Sequence, residues 1–477
     1  MVFSSPIFLF LFLPVTLLLS YLCNRYKWRN VPLLIMSLIF YAFGEGEMLL
    51  VMIGSITMNY FIGKWVGRST DKTAITVGVI LNLLLLIIYK YTGFIIENVN
   101  EFLKLMNVAT LPQVNIKLPI GISFYTFHCM SYLIDVYRRK NEAQKSFIDL
   151  ALYVSLFPQL VAGPIIRYKD VAAQFQNRVL NSSQFYLGLQ RFIIGLGKKV
   201  IIANSLGSTA DLIFGLDSSN LSTPIAWVGI LCYSMQLYFD FSAYSDMAIG
   251  LGKMFGFDFL ENFRFPYKSK SIREFWQRWH ISLSNWFRDY LYIPLGGNRV
   301  SPGRVYVNLF IVFFLTGLWH GASWNFVIWG LIHGCFMVIE RLGFTNILER
   351  LPVIVQRLYM AFVVVIAWVF FRAETLPQSV DYIGALFGYG NTPKFTMDMV
   401  LNRELIFAFV IGLLMSVNAF NWIMRKSLRQ ILRNRGMVPV VKATFVNGKS
   451  IFLLIIFIYS ALTIAGGSYN PFIYFRF

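Results

Sequence analysis

The sequence predicts an all-α, polytopic membrane helical bundle of about twelve spans with re-entrant or broken helices. Three observations carry this. Of the 477 residues, 57% are hydrophobic and only 14% are charged, against about one-quarter charged in an average soluble domain. Apolar runs of near-spanning length recur along the whole chain. The excess of basic residues, a formal +19, gathers between those runs instead of forming a separate domain. That placement follows membrane topology and argues against a nucleic-acid partner.

The apolar runs fall at 7–23, 31–43, 48–66, 74–89, 119–137, 147–165 and 185–203, then at 224–241, 305–319, 322–339, 358–371, 405–424 and 450–465. The first has no basic residue before it, whereas Arg25, Lys27 and Arg29 follow at once. It reads as a retained anchor with its N-terminus outside. Three connecting stretches are strongly basic. Residues 138–183 hold seven Lys/Arg against three acids, 262–304 hold eight against two, and 425–449 hold seven against none. All three are expected in the cytoplasm.

Thirteen crossings would contradict that pattern, so one run must turn back. The run at 147–165 contains Pro158, Gly163 and Pro164 and lies within the first basic stretch. Broken helix at membrane depth is tolerated where it is buried in protein or lines a cavity. Twelve crossings then remain, with both termini outside and the loop 204–223, which carries Asp211 and Asp217, also outside. No internal repeat or soluble linker interrupts the chain, so residues 1–477 are expected to form a single domain. The cysteines Cys23, Cys129, Cys232 and Cys335 lie in apolar stretches without CxxC spacing. They read as small buried hydrophobes, with neither a disulfide nor a metal site expected.

Chemistry must come from few groups. His280 lies in Arg273-Glu-Phe-Trp-Gln-Arg-Trp-His-Ile-Ser-Leu-Ser-Asn-Trp-Phe-Arg-Asp-Tyr290. At helical spacing Trp276, His280, Leu283 and Phe287 share one stripe, while Asn285 and Arg288 lie mainly elsewhere. An amphipathic helix at the cytoplasmic boundary is expected, with His280 either functional or a polar plug against a neighbour. His320 lies in Thr316-Gly-Leu-Trp-His-Gly-Ala-Ser-Trp324. Gly317 and Gly321 on either side allow backbone or substrate to approach closely. A neutral imidazole in a low-dielectric cleft is a usable general base, able to take a proton from a hydroxyl that attacks a thioester. The alternative is a histidine closing a helix turn.

His333 reads as a packing residue, and His128, in Gly121-Ile-Ser-Phe-Tyr-Thr-Phe-His128, reads as either packing or functional, with packing favoured. Asp240 and Asp246, costly inside a membrane, are expected to bind a partner arginine or line a polar cavity. Six of eleven tryptophans lie between Trp276 and Trp329. Interfacial anchoring explains such a cluster, and Trp276, Trp279, Trp319 and Trp324 also suit a funnel that stacks a sugar or acyl carrier. No GxSxG, Walker, HExxH or dinucleotide motif occurs.

Beyond these two histidine motifs, Phe157-Pro-Gln-Leu-Val-Ala-Gly-Pro-Ile-Ile-Arg167, Gln236-Leu-Tyr-Phe-Asp-Phe-Ser-Ala-Tyr-Ser-Asp-Met-Ala-Ile-Gly250, Glu261-Asn-Phe-Arg-Phe-Pro-Tyr267 and Asn470-Pro-Phe-Ile-Tyr-Phe-Arg-Phe477 complete a recognisable set. The chain resembles the membrane-bound O-acyltransferase (MBOAT) family, and within it the polysaccharide-acetylating branch that includes alginate O-acetylation. The resemblance implies a ring of helices around a thin central layer pierced by a tunnel. It implies His320 as the catalytic histidine and His280 as the second motif position. Trp276, Trp279, Trp319, Trp324, Asn285 and Arg288 are the expected substrate-binding groups.

It further implies acetyl-CoA or another acyl thioester as cytoplasmic donor substrate, with no bound cofactor. A surface polysaccharide would be the acceptor, an extracytoplasmic acyltransferase would be the partner protein, and membrane lipid would surround the chain in a bacterial inner membrane. Two other readings stand beside this one. D-alanyl transfer to teichoic acid uses the same chemistry, although Tyr292-Ile-Pro-Leu-Gly-Gly-Asn-Arg299 favours the polysaccharide branch. A lipid or polymer transporter without a covalent step would show paired broken helices in corresponding halves, and no such symmetry is found.

Overall fold

The computed structural model describes all residues except 218–219, 390–395, 420–437, 468 and 474–477, with the backbone alone for 438–446. The described elements are helical throughout. They run from α1 (Leu13–Leu22), α2 (Asn30–Glu45), α3 (Met48–Arg68) and α4 (Thr73–Leu86) through α5 (Thr92–Leu105), α6 (Ile122–Tyr137), α7 (Phe147–Ser155) and α8 (Phe157–Leu160). There follow α9 (Tyr168–Gln176), α10 (Ser182–Gly197), α11 (Asn204–Phe214), α12 (Thr223–Met254), α13 (Ile272–Arg278) and α14 (Ile281–Phe287). The remainder comprises α15 (Pro302–His320), α16 (Trp324–Ile339), α17 (Thr345–Leu348), α18 (Val353–Arg372), α19 (Leu376–Leu386), α20 (Met397–Val400), α21 (Arg403–Ser416) and α22 (Val438–Ala465).

Six helical stretches among the described residues are long and apolar enough to cross a bilayer: Met48–Arg68, Thr73–Leu105, Pro302–His320, Trp324–Leu348, Val353–Arg372 and Asn447–Ala465. Their lipid-type residues stay exposed, as Phe61, Leu84, Phe314, Phe362 and Ile455 show. Water would penalise that surface and hydrocarbon does not. The chain is an all-helical, multi-pass membrane protein.

The 32-residue α12 is the inner post, packed by α10, α11, α18 and α19 and buried along most of its length. It extends well past the expected 224–241 because its polar residues are paired inside the protein. Asp240 meets Lys199 at 2.8 Å, and Asp246 meets Arg191 at 2.8 Å and Lys198 at 2.6 Å. Asp246 thus has the expected arginine, joined by a lysine, whereas the partner of Asp240 is a lysine. Removing one partner of a buried pair costs about 3–5 kcal/mol, because the survivor is left charged and desolvated. Asp240 Oδ2 also accepts from the backbone N–H of Ile473, and Asn470 Nδ2 donates to the Ser4 carbonyl. The tail thus crosses the core beside the first residues of the chain.

Several boundaries differ from those expected. The run at 147–165 breaks as anticipated, into α7, α8 and a buried irregular segment. Its backbone is satisfied internally: Ile165 N–H donates to Ser282 Oγ at 2.9 Å and the Ile166 carbonyl accepts from Tyr153 at 2.9 Å. The run at 74–89 does not stop at Tyr89. It continues through a π-helical turn at Ile87–Tyr91 into α5. The stretch 204–223 is largely helix, because Leu206, Ala210, Ile213 and Phe214 bury one face of α11. Within the basic stretch 425–449, residues 425–437 lie outside the described residues and 438–449 begin α22. Cys129 and Cys232 are buried, whereas Cys23 is half-buried and Cys335 is exposed.

Candidate active site

His280 does not lie on a continuous amphipathic helix. The segment breaks into α13 and α14, and His280 sits between them at φ 42°, ψ 53°. A non-glycine residue in this left-handed region costs about 1 kcal/mol or more and persists only when its surroundings enforce it. Here Asn262 enforces it. Its carbonyl accepts from Ile281 N–H at 2.9 Å, and its side-chain Oδ1 accepts from Ser282 N–H at 3.2 Å and Ser282 Oγ at 2.9 Å.

Asn262 Nδ2 donates to Ser245 Oγ at 3.0 Å, and the Ser282 N–H, which can only donate, fixes the amide orientation by requiring the oxygen on its side. The Asn262 Oδ1 lying 3.1 Å from His280 Nδ1 can only accept, so Nδ1 carries the proton. Nε2 is left with its lone pair, buried and without a hydrogen-bond partner. Ser282 ties this joint to the irregular segment at Ile165. The two broken stretches of the chain therefore support each other.

His320 is the last residue of α15 and 4% exposed. Neither ring nitrogen has a hydrogen-bond partner among the described residues. The ring stands edge-on to Trp319 at 5.0 Å, Trp329 at 4.9 Å and Phe371 at 5.1 Å between centroids. Glycine does permit a close approach here, but the visitor is α16. A Cβ on Gly317 would lie 2.3 Å from the Phe326 carbonyl oxygen, and one on Gly321 would lie 2.1 Å from the Phe326 ring.

The two histidines belong to one alternating file of rings. His280 contacts Trp319 at 6.1 Å, Trp319 contacts His320, and His320 contacts Trp329. Trp329 then contacts His333 at 5.2 Å, and His333 contacts Trp276 at 5.2 Å. Every contact is edge-to-face, a favoured aromatic geometry. Each ring also has a buried polar atom without a hydrogen-bond partner: Nε1 of the three tryptophans, Nε2 of His280, and both nitrogens of His320 and His333. Buried polar groups are nearly always hydrogen-bonded, so this contiguous series of unpartnered atoms has room in its chemistry for a polar ligand or water.

The remaining expected residues divide. Trp276, Trp279 and Trp319 are buried in this locus, with Trp279 packed on Phe241, Phe263 and Trp368. Trp324 is 51% exposed and donates to Asn98 Oδ1 at 2.8 Å, on the outer surface of α16. Arg288 is exposed and pairs with Asp289 at 2.8 Å. Asn285 is half-buried on α14. Asp289 itself is held below the ordinary carboxylate range: burial opposes this, but the neighbouring Arg288, Arg167 and Lys169 outweigh it.

Three further residues join the locus without having been singled out. Asn262 lies inside a recognised motif, yet its role depends on a contact eighteen positions away. His333 was expected to be a packing residue. Lys90, in the π-helical turn after α4, belongs to none of the motifs around the histidines. Its ammonium donates to the Trp319 carbonyl, lies 3.4 Å from the His320 carbonyl and is 3.1 Å from Ser123 Oγ. Tyr91 donates to the Leu318 carbonyl at 2.8 Å. A cation at the C-terminal end of α15 complements both its orphan carbonyls and its dipole. Among the described residues, no group of three or more His, Cys, Asp or Glu side chains could hold a metal ion.

Residues 103–376 match the MBOAT, membrane-bound O-acyltransferase family. Over its full length the chain is 42% identical to the probable alginate O-acetylase of Pseudomonas putida, covering all of that protein. It is 47% identical to the corresponding Pseudomonas aeruginosa protein over 82% of this chain and 75% of the relative. The peptidoglycan O-acetyltransferase of Helicobacter pylori is 38% identical over 81% of this chain and 80% of the relative. With its multi-pass helices, an inner-membrane location and an O-acyltransferase activity follow. The chain belongs to the membrane-bound O-acyltransferase family, in the branch that holds these O-acetylases.

Proposed function

We propose that the protein moves an acetyl group from a cytoplasmic thioester, such as acetyl-CoA, toward the hydroxyls of an extracytoplasmic polysaccharide, and that His320 is the general base. The observation that carries this reading is the His320 imidazole, unpartnered at both nitrogens and placed in the alternating His–Trp file. The acceptor oxygen attacks the thioester carbonyl carbon while its proton passes to a His320 nitrogen. The carbon–sulfur bond then breaks, and the departing thiolate takes that proton from the imidazolium. The products are an ester and a free thiol, and His320 is regenerated.

His280 presents its Nε2 lone pair through the fixed Nδ1–H···Asn262 bond and serves as the positioning group. Trp276, Trp279 and Trp319 form apolar walls for the acyl chain and its carrier. Lys90 holds the end of α15 and, as a nearby cation, favours negative charge developing on the carbonyl oxygen. The reading includes a bundle of about twelve spans acting as a single domain, with a tunnel through which donor and acceptor reach His320 from opposite sides. Because His320 is closed in by aromatic rings, acceptor access requires the Trp319 or Phe371 ring to swing aside.

The full-length similarity to an alginate O-acetylase favours alginate, or a polymer like it, as acceptor. An extracytoplasmic acyltransferase is the proposed partner that completes delivery. The His320→Ala protein, inserted at normal abundance, should leave the surface polymer without acetyl esters. Acetylation at the parental level would overturn the assignment. Mass spectrometry of the released groups tests the acyl identity at the same time, since D-alanine in place of acetate would move the protein to the teichoic-acid reading.

A further inference from the structure

Away from the His–Trp file, a recess of about 590 Å³ opens between the end of α3 and the loop after α6. Five cationic residues line it, Lys64, Arg68, Arg139, Lys140 and Lys145, against the single carboxylate of Glu142. Glu142 does not neutralise the recess: it and Lys145 are each 90% exposed and 3.8 Å apart. An exposed pair of this kind contributes little.

The walls are fixed by bonds internal to the protein. Arg139, at φ 55°, donates to the Gly67 and Ser69 carbonyls at 2.7 Å each. Tyr60 donates to the Lys145 carbonyl at 2.8 Å, and Gln144 N–H donates to Tyr132 Oη at 3.1 Å. The loop packs so tightly on α3 that a Cβ on Gly67 would lie 2.7 Å from Ala143 Cβ. The backbone that carries the charges is therefore held around one concavity, with Arg68, Arg139, Lys140 and Lys145 exposed around it. Burial and the neighbouring Lys169 push the Lys140 ammonium below its ordinary value, a strain that a bound anion would relieve.

Its depth is set by its neighbours on α3. Phe61 and Trp65 are 63% and 46% exposed on the last turns of that helix, beside Lys64 and Arg68. Aromatic residues on a helix end next to basic ones mark the level where acyl chains give way to headgroups. The basic surroundings place that level on the cytoplasmic side, where the leaflet presents anionic lipid.

We propose that this recess is a binding site for the phosphodiester headgroup of an acidic phospholipid, its acyl chains lying along the exposed Phe61–Trp65 face. The ligand chemistry is a phosphate at the membrane boundary with lipid tails attached. Arg68 offers a planar donor fork, Lys64 and Lys140 offer point charges, and Arg139, its fork committed to the Gly67 and Ser69 carbonyls, adds its charge to the wall. Arg138 in the same loop donates to the Asp289 carbonyl at 2.9 Å, so an occupied recess would brace the segment that follows α14.

Native mass spectrometry of the full-length protein, released from detergent and titrated with phosphatidylglycerol, cardiolipin or phosphatidylcholine, tests this. The variant combines Lys64→Gln, Arg68→Gln and Lys140→Gln and leaves the structural bonds of Arg139 intact. A control combines Arg299→Gln, Arg304→Gln and Arg350→Gln, which removes the same charge elsewhere. The expected result is preferential retention of phosphatidylglycerol or cardiolipin by the parent and control, weakened about fivefold for each recess charge removed. Equal retention by the recess variant overturns the proposal, and so does an equal loss in the control, which would mean diffuse charge attraction. Displacement of the bound lipid by soluble ADP or pyrophosphate at comparable concentration also overturns it, in favour of a site for a free phosphate ester.

Discussion

His280 and His320 both lean on Trp319, yet their surroundings are opposite in kind. The joint between α13 and α14 is wired by hydrogen bonds. Asn262, Ser282 and Ser245 fix the His280 backbone, its tautomer and the direction of its free lone pair. The turn between α15 and α16 is walled by rings, and His320 meets aromatic faces with no polar partner among the described residues. A group held by polar contacts can orient something else but is itself committed. A group boxed by apolar rings keeps both nitrogens available, at the cost of leaving them unsatisfied while the site is closed. On the proposed function, this contrast is the reason for giving positioning to the first histidine and proton transfer to the second.

The comparison is broken most directly at His320. His320→Ala should lower thioester-dependent acetylation by about 10²–10⁴-fold, the range for loss of a general base. A loss below tenfold in purified, folded protein would end the contrast. Asn262→Leu should come next, because it removes the acceptor that fixes the His280 tautomer while His280 stays in place. An unsatisfied buried group costs about 1–3 kcal/mol, which is roughly fivefold to 150-fold in rate where the cost falls on the transition state. A wild-type rate in this variant would show that the hydrogen-bonded joint is structural only.

Lys90→Met should reduce turnover by about tenfold through the end of α15, with Lys90→Arg partly restoring it. If both variants turn over alike at the parental rate, the cation contributes nothing to the ring-walled side. The smallest effects belong to residues turned outward. Arg288→Ala and Trp324→Phe should each change acetyl ester content by less than about twofold, as expected of surface substitutions. A tenfold loss in either would place the acceptor path on the exposed surface of α14 or α16, not along the ring file.

Much of this was legible in the residues alone. Apolar run length and the siting of Lys and Arg showed a multi-pass membrane protein, because a bilayer imposes both on composition. Pro158, Gly163 and Pro164 announced the broken segment before α9. The motifs around His280 and His320 pointed to the site and to the family. Periodicity failed at His280, however, because the helical stripe assumed a continuous backbone. A single left-handed residue, held from eighteen positions away, redirects every side chain after it.

The sequence by itself therefore determined the solvent, the helical class, the broken stretch and the two histidines of interest, since each is written in local composition or a short motif. The tertiary structure alone decided that Asp240 and Asp246 are neutralised by Lys199, Arg191 and Lys198, and that Lys90 caps the helix of His320. It alone aligned three histidines with three tryptophans in one file. The physical reason is reach. Hydrogen bonds and ring contacts act over a few ångströms in space, between residues as far apart in the chain as Lys90 and Trp319, and no local pattern encodes which of them will meet.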